Sequence, residues 1–327
     1  MFLKKILYTV CSANHLAHCK TMADSFVQFN PSYQVIIGLT DKIDNQFIVA
    51  DFDPYTIIEV GDLAMPSFSA MAEKYTVIEL NCAMKGFVGN HILSHYQPDI
   101  LIYLDSDIQV FHSFELIENE LTDNDILLTP HINKAYPNDQ YLPKERDTLR
   151  SGLYNAGFMA FKAGKNVDTF FNWWMAHLQD ECYYNFAEGM GVDQLWLNLV
   201  PLFFQRVGIL NNPGTNVAYW NLHERQIDLI DGKYWVNEVY PLLFLHISGY
   251  TFDQPENLSR HQTRYNLNSL PILQQLLHGY RQIVIQNGYD RYHSMHCAYA
   301  KKIKKSTGIM KTINQIISPL GIKIIDR

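Results

Sequence analysis

Residues Ile100-Leu101-Ile102-Tyr103-Leu104 give the most apolar strand signal in the chain, and Asp105-Ser106-Asp107 follow at once. A short unbroken apolar run bounded by polar residues reads as a strand buried on both faces, as in parallel sheets. Parallel strands need crossover connections, so this run directs the chain toward an α/β fold. The flanking sequence supplies the partners. Residues 6–10 read as a first strand, and a helical stretch carrying Leu16, Ala17, Met22, Ala23, Phe26 and Val27 follows. Tyr33–Leu39 reads as a second strand, residues 55–60 as a third and 77–80 as a weaker fourth, with a helix over 86–96 stopped by Pro98. Beyond Asp107 the pattern predicts a short helix over 116–121, a strand over 126–129 and a polar loop over 133–150. A strand over 154–161, helices over 167–178 and 194–202 and a late strand over 242–246 complete it. The expectation is a mostly parallel sheet with helices on both faces over residues 1–265, then a helical extension over 266–327.

Composition narrows the function. Apolar residues make up 47% of the 327 and charged residues 18%, the balance of an ordinary globular protein. A net charge of -7 argues against a nucleic-acid binder, which needs a basic face to neutralise phosphates. Five scattered cysteines (Cys11, Cys19, Cys82, Cys182, Cys297) contain no CxxC pair, so neither a disulfide framework nor a zinc site is indicated, and a reducing, cytoplasmic setting fits. The apolar start is too short and mixed for a signal peptide, and no stretch approaches the roughly 20 apolar residues of a membrane span. Near the end, Lys301, Lys302, Lys304, Lys305 and Lys311 alternate with Ile303, Met310, Ile313, Ile316 and Ile317. That pattern suits a basic amphipathic helix in peripheral contact with the cytoplasmic face of the inner membrane.

The acidic pair is the sharpest chemical signal. In open α/β sheets, ligands bind beyond the carboxyl ends of the strands. Residues two apart in an extended chain point to the same side, so Asp105 and Asp107 can face one ligand. Two carboxylates suit a hard divalent cation such as Mg²⁺ or Mn²⁺, which commonly bridges to substrate phosphates. There it would neutralise a departing diphosphate.

Four segments, in order, carry a resemblance: YLDSDIQVF at 103–111, SGLYNAGFMAFK at 151–162, GVDQLWLN at 191–198 and PLLFLHISGY at 241–250. Over about residues 3–265 they resemble the metal-binding strand, the N-A-G strand, the D-Q segment and the late H-x-x-G element of GT-A glycosyltransferases. The likeness is closest to glycogenin-like and galactosyltransferase-like enzymes and to bacterial transferases that build surface polysaccharide. It implies a GT-A fold and sugar transfer from a nucleotide-sugar donor, with UDP preferred, to a glycan or lipid-linked acceptor. It also implies that Asp105, Asp107 and His246 hold the metal, with Mn²⁺ slightly favoured by the imidazole ligand. Asp105 would also touch the donor ribose, and Thr9, Ser12 and Asn14 would approach the nucleotide. Lys85 would face the donor, Asn155 would hydrogen-bond its sugar and Gly157 would admit the backbone closely. Asp193 would act as general base in an inverting reaction; in a retaining one, Asp193 and Gln194 would position substrate. Gly249 closes the H-x-x-G element. Related enzymes continue with Lys-Pro-Trp to grip the diphosphate, whereas residues 250–255 here contain no lysine. Arg260 and Arg264 are the cations expected in its place. Asn216, Tyr219, Trp220, Asn221 and His223 form a polar-aromatic cluster suited to an acceptor sugar. The alternatives are a nucleotide-sugar pyrophosphorylase, whose usual glycine-rich N-terminal loop is missing from this sequence, and a non-catalytic carbohydrate-binding protein on the same fold.

Overall fold

The computed structural model describes residues 3–43 and 49–299. The first half alternates strands and helices: β1 (Lys5–Cys11), α1 (Leu16–Phe29), β2 (Tyr33–Leu39), β3 (Thr56–Glu59), α2 (Phe68–Lys74), α3 (Val77–Tyr96) and β4 (Ile100–Leu104). Then come β5 (Ile108–Val110), α4 (Glu115–Asp123), β6 (Ile126–Pro130), α5 (Glu145–Ser151), β7 (Tyr154–Lys162) and α6 (Lys165–Leu178). The second half holds the short pair β8 (Tyr184–Asn185) and β9 (Met190–Gly191), then α7 (Val200–Phe203), β10 (Val207–Ile209), β11 (Ile227–Ile230), β12 (Lys233–Val236), β13 (Tyr240–Pro241) and β14 (Phe244–His246). Helices α8 (Pro271–Gln286) and α9 (Tyr289–Tyr292) follow.

The main sheet has the order β10-β6-β7-β4-β1-β2-β3. All its pairings are parallel except those of β7, which runs antiparallel to β4 and β6. This is the mixed, mostly parallel, helix-flanked sheet expected from the sequence. Strand alternation sends side chains to two cores. On one face, Ile6, Tyr8, Leu101 and Tyr103 pack with Leu80, Met84 and Val88 of α3 and Phe170, Phe171 and Trp174 of α6. On the other, Leu7, Ile100, Ile102 and Leu104 meet Met22 and Phe26 of α1 and Ile117 and Leu121 of α4. Each such large side chain contributes roughly 1.5–3 kcal/mol relative to exposure. Helix α8 is docked: Leu273, Leu276, Leu277 and Tyr280 share an apolar cluster with Leu16, Ala17 and Cys19 of α1.

Three elements differ from expectation, the first being the helix read over 194–202, which is a 3-10 turn over Leu195–Leu199 followed by the single turn of α7. Residues 77–80, read as a weak strand, are the first turn of α3. Thr76 and Glu79 form a reciprocal capping box, which satisfies the free N–H groups there and outweighs the β-branched side chains. The 133–150 loop contains most of α5, whose first turn is held by the Asp147 carboxylate accepting from the Lys144 N–H at 3.0 Å. No helix among the described residues is long and apolar enough to cross a membrane. The lysine-rich 301–311 stretch lies outside the described residues.

Candidate active site

The antiparallel direction of β7 builds the site. It brings the start of β7 to the carboxyl end of β4, pairing Leu104 with Phe158, and Asp105 N–H donates to Gly157 O at 2.9 Å. The segment Asn155-Ala156-Gly157 therefore lies beside the acidic pair. On the other side β14 pairs antiparallel with β5, with His246 opposite Ile108, and Ile247 N–H donates to Asp107 O at 2.9 Å. The register of two short strands thus carries His246 to the aspartates.

Asp105, Asp107 and His246 each offer a ligand atom, and these atoms lie within 4.8 Å of one another. His246 Nε2 is 3.2 Å from Asp107 Oδ1 and 3.8 Å from Asp105 Oδ2. The carboxylates converge through a turn, closed by Ile108 N–H donating to Asp105 O at 3.3 Å, and not through continued strand geometry. Asp105 Oδ1 is held by the Tyr103 hydroxyl at 2.6 Å and by Lys85 Nζ at 3.0 Å, which leaves Oδ2 toward His246. His246 Nδ1 faces Asn155 Oδ1 and Asn216 Oδ1, both at 3.2 Å, so Nε2 is free to act as a ligand. One imidazole and two carboxylates fit a divalent cation of the Mn²⁺ or Mg²⁺ kind.

Lys85 is the electrostatic centre. Gly89, one turn on, lets α3 approach the sheet: a Cβ there would lie 2.7 Å from the Tyr8 hydroxyl and 2.4 Å from Phe171. Lys85 is 5% exposed and its Nζ lies 3.0 Å from Asp105 Oδ1, 3.0 Å from Asp193 Oδ2 and 3.1 Å from Ala156 O. Burial would lower its pKa, but Asp105 and Asp193 together hold it well above the ordinary value, so it stays charged. Burial raises the pKa of Asp193, and Lys85 offsets this only in part. At Asp107, burial pushes upward, yet His246, with His15 and His18, holds the carboxyl at about 2.

These groups line a cleft of about 700 Å³, together with Cys82, His131, Asn155, Gly157, Gln194, Tyr219, Trp220, Arg260 and His261. Gln194 is committed to the framework: its Oε1 accepts from Ala156 N–H and Asn155 Nδ2, both at 3.1 Å, and its Nε2 donates to Ser151 O at 2.9 Å. Gly157 has no room for a methyl group. A Cβ there would lie 2.4 Å from the His246 ring and 2.9 Å from Asp105 Oδ2. Gly157→Ala is therefore expected to push these two apart, destabilising the fold by about 1–3 kcal/mol and weakening Mn²⁺ binding. Calorimetry and a thermal melt check both effects.

Several expected residues lie elsewhere. Thr9 is fully enclosed within β1 and does not reach the cleft. Ser12, also enclosed, donates to Asn14 Oδ1 at 2.7 Å and accepts from Asn81 Nδ2 at 3.1 Å. Asn14 also accepts from Cys297 Sγ at 3.5 Å, so the C-terminal segment covers this turn. Arg264 is bound to the Asp139 carboxylate and donates to Pro143 O at 3.2 Å, pinning the 139–143 loop. Arg264 is not among the residues that line the cleft, whereas Arg260 is. Gly249 adopts φ +72° and abuts His261 and Ser259, holding the Arg260 segment in place. Of the polar-aromatic cluster, only Tyr219 and Trp220 line the cleft. Asn216 and Asn221 are fully buried and serve the framework: Asn221 Nδ2 donates to His131 O at 3.1 Å. His223 points away, to Lys134 O at 2.9 Å. His131 is a cleft residue that the sequence did not single out.

No family model matches the chain. It is 32% identical over 99 residues to the uncharacterized protein YfnF of Bacillus subtilis (strain 168), covering 30% of this chain and 33% of YfnF. It is 21% identical over 251 residues to the uncharacterized protein YfnD of the same organism, covering 74% of this chain and 77% of YfnD. The chain thus spans about a third of the length of the first relative. Among solved structures, it is similar to the galactosyltransferase LgtC in complex with donor and acceptor sugar analogs, at 15% identity, 86% of this chain, 95% of that chain and a TM-score of 0.49. It is also similar to the glycosyltransferase GlyE of Streptococcus pneumoniae TIGR4, at 14% identity, 93% of this chain, 66% of that chain and a TM-score of 0.49. The helix-flanked, mostly parallel mixed sheet with the Asp-Asp-His cluster at its carboxyl edge is the arrangement that the sequence resemblance to GT-A glycosyltransferases implies.

Proposed function

We propose that the protein is a metal-dependent glycosyltransferase that moves a sugar from a nucleotide-sugar donor, preferentially a UDP-sugar, to a glycan or lipid-linked acceptor in surface-polysaccharide synthesis. The observation that carries this reading is the convergence of Asp105, Asp107 and His246 beside Asn155, Gly157 and Asp193 in one cleft. When bound, the cation supplies positive charge against the departing diphosphate. Asp105, Asp107 and the Nε2 of His246 are its ligands. Lys85 fixes Asp105 and Asp193 relative to each other. The bare backbone at Gly157 would admit the donor sugar and Arg260 would face the diphosphate, while Asn155, whose amide is taken up by His131, Gln194, Gly157 and His246, holds that wall of the cleft in place. In an inverting transfer Asp193 takes the acceptor hydroxyl proton, and its burial-raised pKa is the direction a general base needs. Residues 1–265 form the catalytic unit in this reading.

Calorimetric titration with UDP, with and without Mn²⁺, tests it. Tight binding only with Mn²⁺ is expected, and binding indifferent to Mn²⁺ removes the metal role. The pH dependence is fixed by His246. Burial lowers its pKa, but Asp107 and Asp105 together more than offset this, so without metal the ring keeps its proton above the ordinary histidine value. The stabilising His246–Asp107 ion pair is then complete below the ordinary value and lost as pH rises through the raised one. A cation must displace this proton. Mn²⁺ affinity is expected to rise with pH, by up to about tenfold per unit below the raised pKa.

A further inference from the structure

We infer that His131 is a positioning residue that fixes the tautomer of His246 through Asn155, directing the Nε2 lone pair at the two aspartates. The inference rests on the proposed reading of Asp105, Asp107 and His246 as cation ligands.

The relay is anchored at both ends by backbone groups whose roles are not negotiable. Leu153 O only accepts, so His131 Nδ1, at 3.3 Å, carries the hydrogen. In a neutral imidazole the other nitrogen then holds a lone pair. Burial keeps His131 neutral, lowering its pKa to about 4. Its Nε2 therefore accepts from Asn155 Nδ2 at 3.2 Å. The Asn155 amide is oriented independently, because Gly157 N–H only donates and lies 3.1 Å from Oδ1. Gln194 supports the same orientation. Its Oε1 is fixed as an acceptor by Ala156 N–H at 3.1 Å, and it takes the second Asn155 Nδ2 hydrogen at 3.1 Å. With Asn155 Oδ1 an acceptor, His246 Nδ1 at 3.2 Å must be the donor. Asn216 Oδ1, also at 3.2 Å, accepts from the same nitrogen. Nδ1 therefore keeps its hydrogen, and when a cation displaces the second proton it is Nε2, 3.2 Å from Asp107 and 3.8 Å from Asp105, that presents the lone pair. A protonated or reversed His131 ring would turn a donor toward Asn155 Nδ2, which is itself a donor, and the relay would break at its first link.

Partners of this kind typically change metal affinity by 10–100-fold. Here Gln194 and Asn216 share the task, so the lower figure applies. Calorimetry with MnCl₂ alone, with no sugar nucleotide and no turnover, reads the effect. His131→Phe keeps a ring against Trp220, whose centroid is 5.2 Å away, and removes both nitrogens. It is expected to weaken Mn²⁺ binding about tenfold, with little change in the metal-free melting temperature. His131→Gln, which can donate to Leu153 O and accept from Asn155, is expected to restore affinity to within about threefold of the wild type. If the phenylalanine variant does not fold, His131→Leu replaces it in the same comparison. Wild-type affinity in the phenylalanine or leucine variant, or glutamine no better than phenylalanine, overturns the relay and leaves the metal reading standing. Failure of the wild type itself to bind Mn²⁺ overturns that reading, and the relay with it.

Discussion

Replacing Asp107 by alanine is expected to lower sugar transfer by about 10²–10³-fold, the usual loss when one electrostatic contributor at a reacting centre is removed. The protein should stay folded. Asp107 sits in the turn after β4, half-exposed, and its carboxylate meets His246, so alanine opens no cavity in the core. Its stability contribution comes from the ion pair. Burial raises its pKa and His246 lowers it, for a net value of about 2 against the ordinary 3.8. A carboxyl depressed in the folded state stabilises above its ordinary pKa and loses that contribution as pH falls toward about 2. The shift corresponds to about 2 kcal/mol at neutral pH. A melting temperature lowered by a few degrees, with transfer almost absent at saturating Mn²⁺, is the expected pair of results. The measurement is release of nucleotide from a panel of nucleotide sugars, alongside thermal unfolding. Transfer near the wild-type rate would remove Asp107 from the metal site.

The fold was readable where apolar periodicity was unmixed. The Ile100–Leu104 run and Tyr33–Leu39 became strands with those bounds, and α1 begins at Leu16 as its spacing implied. Strand direction was not readable. The residues of β7 are buried on both faces, so nothing in the pattern marks it as the antiparallel strand, although that reversal brings Asn155 to Asp105. The start of α3 was hidden because Val77 and Ile78 favour strands, and only the Thr76–Glu79 pair marks the helix start.

The site was legible where its residues are close in sequence, and much less so where they are distant. Asp105 and Asp107 announce themselves. His131 does not, because its partner Asn155 lies 24 positions on and Asn155's next partner, His246, lies 91 beyond that. A histidine after a strand looks the same whether it orients a ligand or fills space. Thr9 and Arg264 show the converse. Their residue types suit a nucleotide or a phosphate, but one is enclosed in β1 and the other is bound to Asp139. Lys85 had the plain alternative of a solvated helix lysine, and only the close approach of α3 at Gly89 makes it a buried cation.

That burial makes Lys85→Met the most destabilising single change expected at the site. Methionine keeps most of the side-chain volume, so the variant isolates charge from packing. Without Lys85 Nζ, Asp105 and Asp193 lose the cation 3.0 Å from each; Asp105 opens to the cleft, but the Asp193 carboxylate, 3% exposed, is left in an enclosed space. Removing one partner of a buried ion pair typically costs about 3–5 kcal/mol. The loss should depend on pH. Burial already raises the pKa of Asp193 in the presence of Lys85, and without it the pKa must rise further. An acid whose folded pKa is raised binds more protons when folded, so stability falls as pH rises from the ordinary carboxylate value through the raised one. Denaturant unfolding at pH 4 and pH 7.5 should therefore show a small deficit for Lys85→Met at the lower pH and a large one at the higher. Adding Asp193→Asn should recover part of the deficit at pH 7.5, because the second buried charge is gone. A deficit equal at both pH values, with no recovery in the double variant, would mean that Lys85 acts by filling space. The two carboxylates would then need another explanation for sharing one wall of the cleft.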